Sequence, residues 1–153
     1  MQLTRGSEYA IRAVLDLSVK KDQIRVQLKD IADRMDIPED FLAKIFQELN
    51  RAGIVKSFRG TRGGYALAKA PEQISLEDVI VAFDGPIQLN KCLNAECISK
   101  KTDGNCRYMD ACPVHDVWVA VQKSLTEILR RTNFKALVEN YLAKSAALSS
   151  STN

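Results

Sequence analysis

The stretch from Leu28 to Leu67 constrains this chain most, because two helical repeats and one strand repeat follow one another there, separated by strong breakers. Leu28, Ile31, Ala32 and Met35 recur at the spacing of a short amphipathic helix. Asp36-Ile37-Pro38 ends it. The residue before a proline is driven out of the helical region, while the proline suits the first turn of a new helix. That second helix is predicted over 38–52, with Glu39 and Asp40 at its positive end, Leu42, Ile45, Phe46 and Leu49 on its buried face, and Gly53 past its last turn. The opposite stripe is Asp40, Ala43, Lys44, Gln47 and Arg51, short or polar side chains suited to a groove. Residues 54–58 and 65–67 then alternate at strand period around Arg59-Gly60-Thr61-Arg62-Gly63-Gly64, which predicts a hairpin whose turn uses glycine at positive φ. A phosphate-binding loop competes for these glycines, but the required Gly-Lys-Ser/Thr ending is missing. Helix, proline-bearing turn, helix and basic hairpin outline a winged helix-turn-helix.

Charge supports a polyanionic partner only through its distribution, since the net value is just +3 over 153 residues. Residues 1–70 carry 13 basic against 9 acidic side chains, and the rest carry 9 against 10. Between Arg51 and Lys69 stand Arg51, Lys56, Arg59, Arg62 and Lys69 with no acid, the footprint expected for phosphate contact. A merely solvated basic surface is the alternative. The first apolar stretch is interrupted by Arg12 and Asp16, which argues against a signal peptide or membrane span and for a cytoplasmic protein.

Around this unit, Ser7 is predicted to cap a first helix bearing Ala10, Ala13, Val14 and Leu17, and 24–27 to be extended. Ser75 and Asp78 resemble a capping box for a helix with Leu76, Val79, Ile80 and Phe83 on one face, stopped by Gly85-Pro86. From 85 to 112 no periodicity persists, which in a compact domain points to a loop with its own function. Pro113 then opens a helix of about 27 Å, whose Val114, Trp118, Val121, Leu125 and Ile128 form a coiled-coil seam that favours a second chain over packing within the same domain. Phe134, Leu137, Val138 and Tyr141 mark a last helix, before a tail expected to be mobile. The expected organisation is a mainly α chain. It comprises a winged helix-turn-helix domain over 1–84, a cysteine-rich loop over 85–112, a dimerisation helix and C-terminal helix over 113–144, and a flexible tail over 145–153.

All four cysteines, Cys92, Cys97, Cys106 and Cys112, lie in that loop, and the only histidine, His115, follows three residues later. In a reducing compartment such a cluster reads as metal-binding or redox-active rather than disulfide-bonded. No two cysteines are separated by two residues, which argues against a zinc finger, a zinc ribbon or a thioredoxin-type pair, and the wide spacing suits an iron–sulfur cluster. Cys112 is placed at the start of the long helix, where the dipole favours thiolate, with His115 near the same face. His115 is either a ligand or simply exposed.

Together these residues resemble the IscR/NsrR-type winged-helix regulators, the Rrf family, over residues 1–141. The matching pieces are Leu3-Thr4-Arg5-Gly6-Ser7-Glu8-Tyr9-Ala10, Phe41-Leu42 with Ile45-Phe46, Ala52-Gly53-Ile54-Val55, Arg59 to Tyr65, and Cys112-Pro113-Val114-His115-Asp116-Val117-Trp118. The resemblance implies a bacterial homodimeric transcription factor, in many members carrying a [2Fe-2S] or [4Fe-4S] cluster on three cysteines and one other ligand. Cys92, Cys106 and Cys112 match those cysteines, leaving Cys97 as an alternative ligand or a bystander. The fourth ligand would be His115 or Glu8, the latter from either subunit. Two departures stand out: the stretch between Cys97 and Cys106 is longer than usual, and Ala43 stands where the family often has Glu.

The expectation is therefore a dimeric regulator of a pseudo-palindromic operator in double-stranded DNA, not an enzyme. Asp40, Lys44, Gln47 and Arg51 face the major groove, Arg59 and Arg62 reach the adjacent minor groove or phosphates, and an iron–sulfur cluster senses redox state, iron–sulfur status or nitric oxide. A regulator with structural zinc or no metal, and a small iron–sulfur electron carrier, are the alternatives. No nucleophile–base–acid constellation points to catalysis.

Overall fold

The computed structural model describes residues 3–20, 22–60, 63–93 and 111–150. Its elements are α1 (Arg5–Val19), α2 (Leu28–Met35), α3 (Glu39–Arg51), β1 (Val55–Phe58), β2 (Gly64–Leu67), α4 (Leu76–Asp84), α5 (His115–Arg131) and α6 (Phe134–Ser150). The mainly α architecture with a two-stranded antiparallel wing agrees with the sequence reading.

Helix boundaries follow local chemistry. Thr4 rather than Ser7 caps α1, because the Thr4 hydroxyl accepts from the Ser7 amide at 3.2 Å, while Ser7 itself is turned into the core. Asp36 takes the left-handed conformation that turns α2 into α3, and Gly53, at φ +67°, closes α3. The capping box of α4 forms as expected: the Ser75 hydroxyl accepts from the Asp78 amide and the Asp78 carboxylate accepts from the Ser75 amide at 2.8 Å.

The core gathers one face from each helix of the unit: Ala10, Ala13, Val14 and Leu17 of α1, Ile31 of α2, Leu42, Ile45, Phe46 and Leu49 of α3, and Val79 of α4. Two contacts join the wing to it. The Phe46 and Tyr65 rings lie 4.4 Å apart, and Val26 exchanges both main-chain hydrogen bonds with Tyr65 at 2.8 Å, adding a third strand position to the hairpin. Gly64 permits this approach, since a Cβ there would stand 2.6 Å from the Val26 carbonyl oxygen. Gly6 plays the same part between α1 and α4, where a Cβ would overlap the Phe83 ring. The Arg34 guanidinium grips the buried Asp16 carboxylate through two bonds of 2.9 and 2.6 Å, which hold α2 on α1 and keep the guanidinium pKa above its ordinary value.

Residues 1–84 do not close this core alone. Phe134, at the start of α6, is fully buried within it, and α6 packs on α1. Leu76 donates to the Thr132 carbonyl at 2.8 Å and Phe134 to that of Ile74 at 3.0 Å, so the junction of α5 and α6 is clasped to the entry of α4. The sequence places a mobile tail from 145. That segment lies in α6, which runs to Ser150, where Ala143, Ala146, Ala147 and Leu148 favour helix and the Ser145 and Ser149 hydroxyls bond the carbonyls four residues back.

Candidate nucleic-acid interface and metal centre

The exposed side of α3 presents Asp40, Lys44, Gln47 and Arg51 to solvent, opposite the buried stripe, so the amphipathic split alone aims them outward. Arg51 is partly neutralised, because its guanidinium pairs with Glu48 one turn back at 2.8 and 3.1 Å. Arg59 is exposed at the end of the wing, and Arg62 lies outside the described residues. Between helix and wing runs a cleft of about 270 Å³ lined by Gln27, Lys29, Glu39 and Gly63–Tyr65. Lys29 brings to this cleft a basic side chain that the sequence alone did not single out. It stands in the first turn of α2, immediately before α3 in the chain.

At the cysteine site, α5 begins at His115, so Cys112 stands in the turn before the helix rather than in its first turn, with Pro113 and Val114 between them. Cys112 accepts from the His115 amide through its carbonyl at 3.2 Å. His115 is half-buried, and its Nδ1 is fully buried without a hydrogen-bond partner among the described residues. Cys92, a free thiol like Cys112, sits in a 3-10 turn, Lys91–Leu93, that packs against α5. Glu8 is exposed in the first turn of α1. Cys97 and Cys106 lie outside the described residues. Among the described residues no three Cys, His, Asp or Glu side chains converge as a metal site, so Cys92, Cys112 and His115 do not complete a ligand shell by themselves.

Electrostatics at the base of the loop involve Asp84, the last residue of α4. Burial pushes its carboxyl up, but the neighbouring Ser7 hydroxyl and the hydrogen bonds from Thr4 outweigh this and hold it below the ordinary value. The Thr4 hydroxyl donates at 2.6 Å. The Ser7 hydroxyl, buried nearby, falls outside good hydrogen-bond geometry, so Thr4 is the firmer of the two.

The seam on α5 is largely uncovered. Trp118 is 38% exposed, Val121 45% and Ile128 64%. The side of α5 turned to its own chain carries Gln122, Leu125, Thr126 and Leu129, none of them fully buried. Near its C-terminal end Arg130 pairs with Glu77 of α4 at 2.8 and 3.2 Å. No helix among the described residues is long and apolar enough to cross a membrane.

A helix-turn-helix with an outward polar stripe and a basic wing defines a winged-helix transcriptional regulator. The model of the Rrf2 family, described as iron-dependent transcriptional regulators, matches residues 3–140, and the chain belongs to that family. The regulator IscR of Cronobacter sakazakii is 33% identical over 140 residues, covering 92% of this chain and 82% of that protein. IscR of Escherichia coli is 32% identical over 140 residues, covering 92% and 82%. Among solved structures, T. potens IscR superposes with a TM-score of 0.71 at 28% identity, covering 92% of this chain and 88% of that one. CymR, the global cysteine regulator of B. subtilis, shares the fold with a TM-score of 0.71 at 24% identity, covering 92% and 98%. The relatives are regulators, not enzymes, as the sequence reading expected.

Proposed function

We propose that this regulator binds a pseudo-palindromic operator as a homodimer and carries an iron–sulfur cluster where the cysteine loop meets α5. The observation that carries the reading is His115 Nδ1, a buried ring nitrogen three residues after Cys112 with no hydrogen-bond partner among the described residues. An unpaired buried polar atom is costly, and a ligand is one way to satisfy it. Cys92, Cys106 and Cys112 would supply thiolates and His115 the fourth donor, a set that suits iron–sulfur ligation. When bound, the cluster supplies a centre reactive toward oxidants and nitric oxide.

The chain's own residues do the rest. Lys44, Gln47 and Arg51 read the major groove, with Asp40 at its edge, while Arg59 and Arg62 meet phosphates or the narrow groove. The uncovered Trp118, Val121 and Ile128 seam receives the same helix of a second copy, which sets the spacing of the two reading heads. Whatever holds Cys92 and Cys112 together against α5 then biases the relative position of the heads.

Anaerobic purification, with visible absorbance and iron and sulfide counts, tests the cluster, and operator affinity before and after its removal tests sensing. Cys106→Ala should abolish the visible absorbance with unchanged far-UV circular dichroism. Colourless, iron-free wild-type protein with the same operator affinity under oxidants and reductants would leave a plain repressor.

A further inference from the structure

Between α4 and the Lys91–Leu93 turn, the main chain of Ile87 and Leu89 meets the side chain of Gln122 on α5. The Gln122 Nε2 donates to the Ile87 carbonyl at 2.5 Å, and its Oε1 accepts from the Leu89 amide at 2.9 Å. One side-chain amide thus makes both bonds that a neighbouring β-strand would make around Gln88. Only one orientation of the amide satisfies both. The Thr126 hydroxyl, one turn along α5, lies 3.5 Å from the same Nε2. From Leu89 the chain enters a turn in which the Asn90 side chain accepts from the Lys91 amide at 2.8 Å and the Asn90 carbonyl from the Leu93 amide at 3.1 Å. Cys92 follows three residues after the anchored Leu89.

The far end of α5 is fixed as well, by the Glu77–Arg130 pair and the main-chain clasp between Ile74–Leu76 and Thr132–Phe134. The helix is therefore held to the winged unit at its C-terminal end and to the cysteine-bearing segment at Gln122. That segment and the unit are also directly continuous through Gly85.

We propose that Gln122 is a positioning residue for the metal centre: by bracketing Gln88 through the Ile87 carbonyl and the Leu89 amide, it fixes where Cys92 lies on α5 relative to Cys112 and His115. The inference rests on the cluster reading, but it concerns this chain's own geometry and is measurable without iron. A hydrophobic residue at 122 would leave the Ile87 and Leu89 groups without their side-chain partner. A glutamate would keep the acceptor for Leu89 and set a carboxylate oxygen against the Ile87 carbonyl.

The test compares wild type, Gln122→Ala and Gln122→Glu as full-length, cluster-free protein, reading Leu89 amide exchange and the alkylation rates of Cys92 and Cys112 by mass spectrometry. In Gln122→Ala, exchange at Leu89 should rise about tenfold. Cys92 alkylation should rise in step while the Cys112 rate and the melting temperature hold. Gln122→Glu should lie between alanine and wild type in exchange, because one of its two bonds survives. Equal acceleration of both cysteines, or of neither, overturns the proposal. Reconstitution then separates the two readings: a variant with faster Cys92 alkylation and a shifted visible spectrum supports both. Wild type that takes up no iron and sulfide sinks the cluster reading, while the alkylation rates still decide the role of Gln122.

Discussion

In the winged head Phe46, Phe134, Ile31 and Leu49 are fully buried, whereas α5, seventeen residues long, buries none of its residues. The head closes its own apolar faces by bringing four helices, the Tyr65 ring and the start of α6 around one centre. The long helix meets its own chain through half-buried and polar side chains and leaves the Trp118–Ile128 stripe in solvent. The contrast teaches that the two regions answer to different chemistry. The head is stabilised within one chain, whereas the arm meets the cysteine segment on one side and on the other leaves the apolar stripe proposed above to receive a second copy.

The most severe test of that contrast is Phe46→Ala. It removes a ring that packs α3 against the wing, and should cost about 3–5 kcal/mol of unfolding free energy, read by denaturant titration. Operator binding should fail with it. A loss under about 1 kcal/mol would mean the head is not the unit described.

Trp118→Glu attacks the arm instead. Sedimentation should show the dimer lost or weakened by well over tenfold, while the thermal transition of the head stays near its wild-type position. Coincident loss of both would show that head and arm fold as one.

Arg59→Ala touches neither core nor seam. Operator affinity should fall by roughly tenfold, and the slope of log affinity against log salt should flatten by about one. An unchanged slope would remove Arg59 from the interface.

The smallest effect concerns the base of the loop. The folded-state pKa of Asp84 lies below its ordinary value, so its contribution to stability is full above about pH 4 and is lost as pH falls through the folded value. Asp84→Asn should therefore lower stability slightly at pH 7 and flatten the acid limb. Identical profiles would show that the Thr4 contact adds nothing.

Much of the head was legible in the sequence because its signals are local. The Asp36-Ile37-Pro38 breaker, the Ser75–Asp78 box and the alternation on either side of Arg59 each act over a few residues, and α2, α3, the hairpin and α4 appear where those signals place them. Ser7 failed as a cap because the helix starts one turn earlier: the Thr4 hydroxyl accepts from the Ser7 amide, and Ser7 lies inside the first turn with its side chain fully buried. Phe134 read as part of a separate C-terminal helix, since nothing in its neighbourhood reveals that its ring enters a core assembled from residues more than fifty positions away. At the proposed metal centre the thiols and the histidine could be counted in the sequence. The orphaned Nδ1 and the Gln122 bracket could not, because a glutamine in a helix carries no signal of which main chain it will face.

The order of breakers, caps and periodicities in this chain determines by itself which segments become helix or hairpin and which faces are apolar, since these depend on backbone sterics and side chains a turn or two apart. The tertiary structure alone decided that α6 completes the core of the head, that α5 keeps its apolar stripe in solvent, and that the cysteine-bearing segment is tied to that helix. Each of these depends on groups far apart in sequence meeting in space, and the free energy that settles them exists only once the chain has folded.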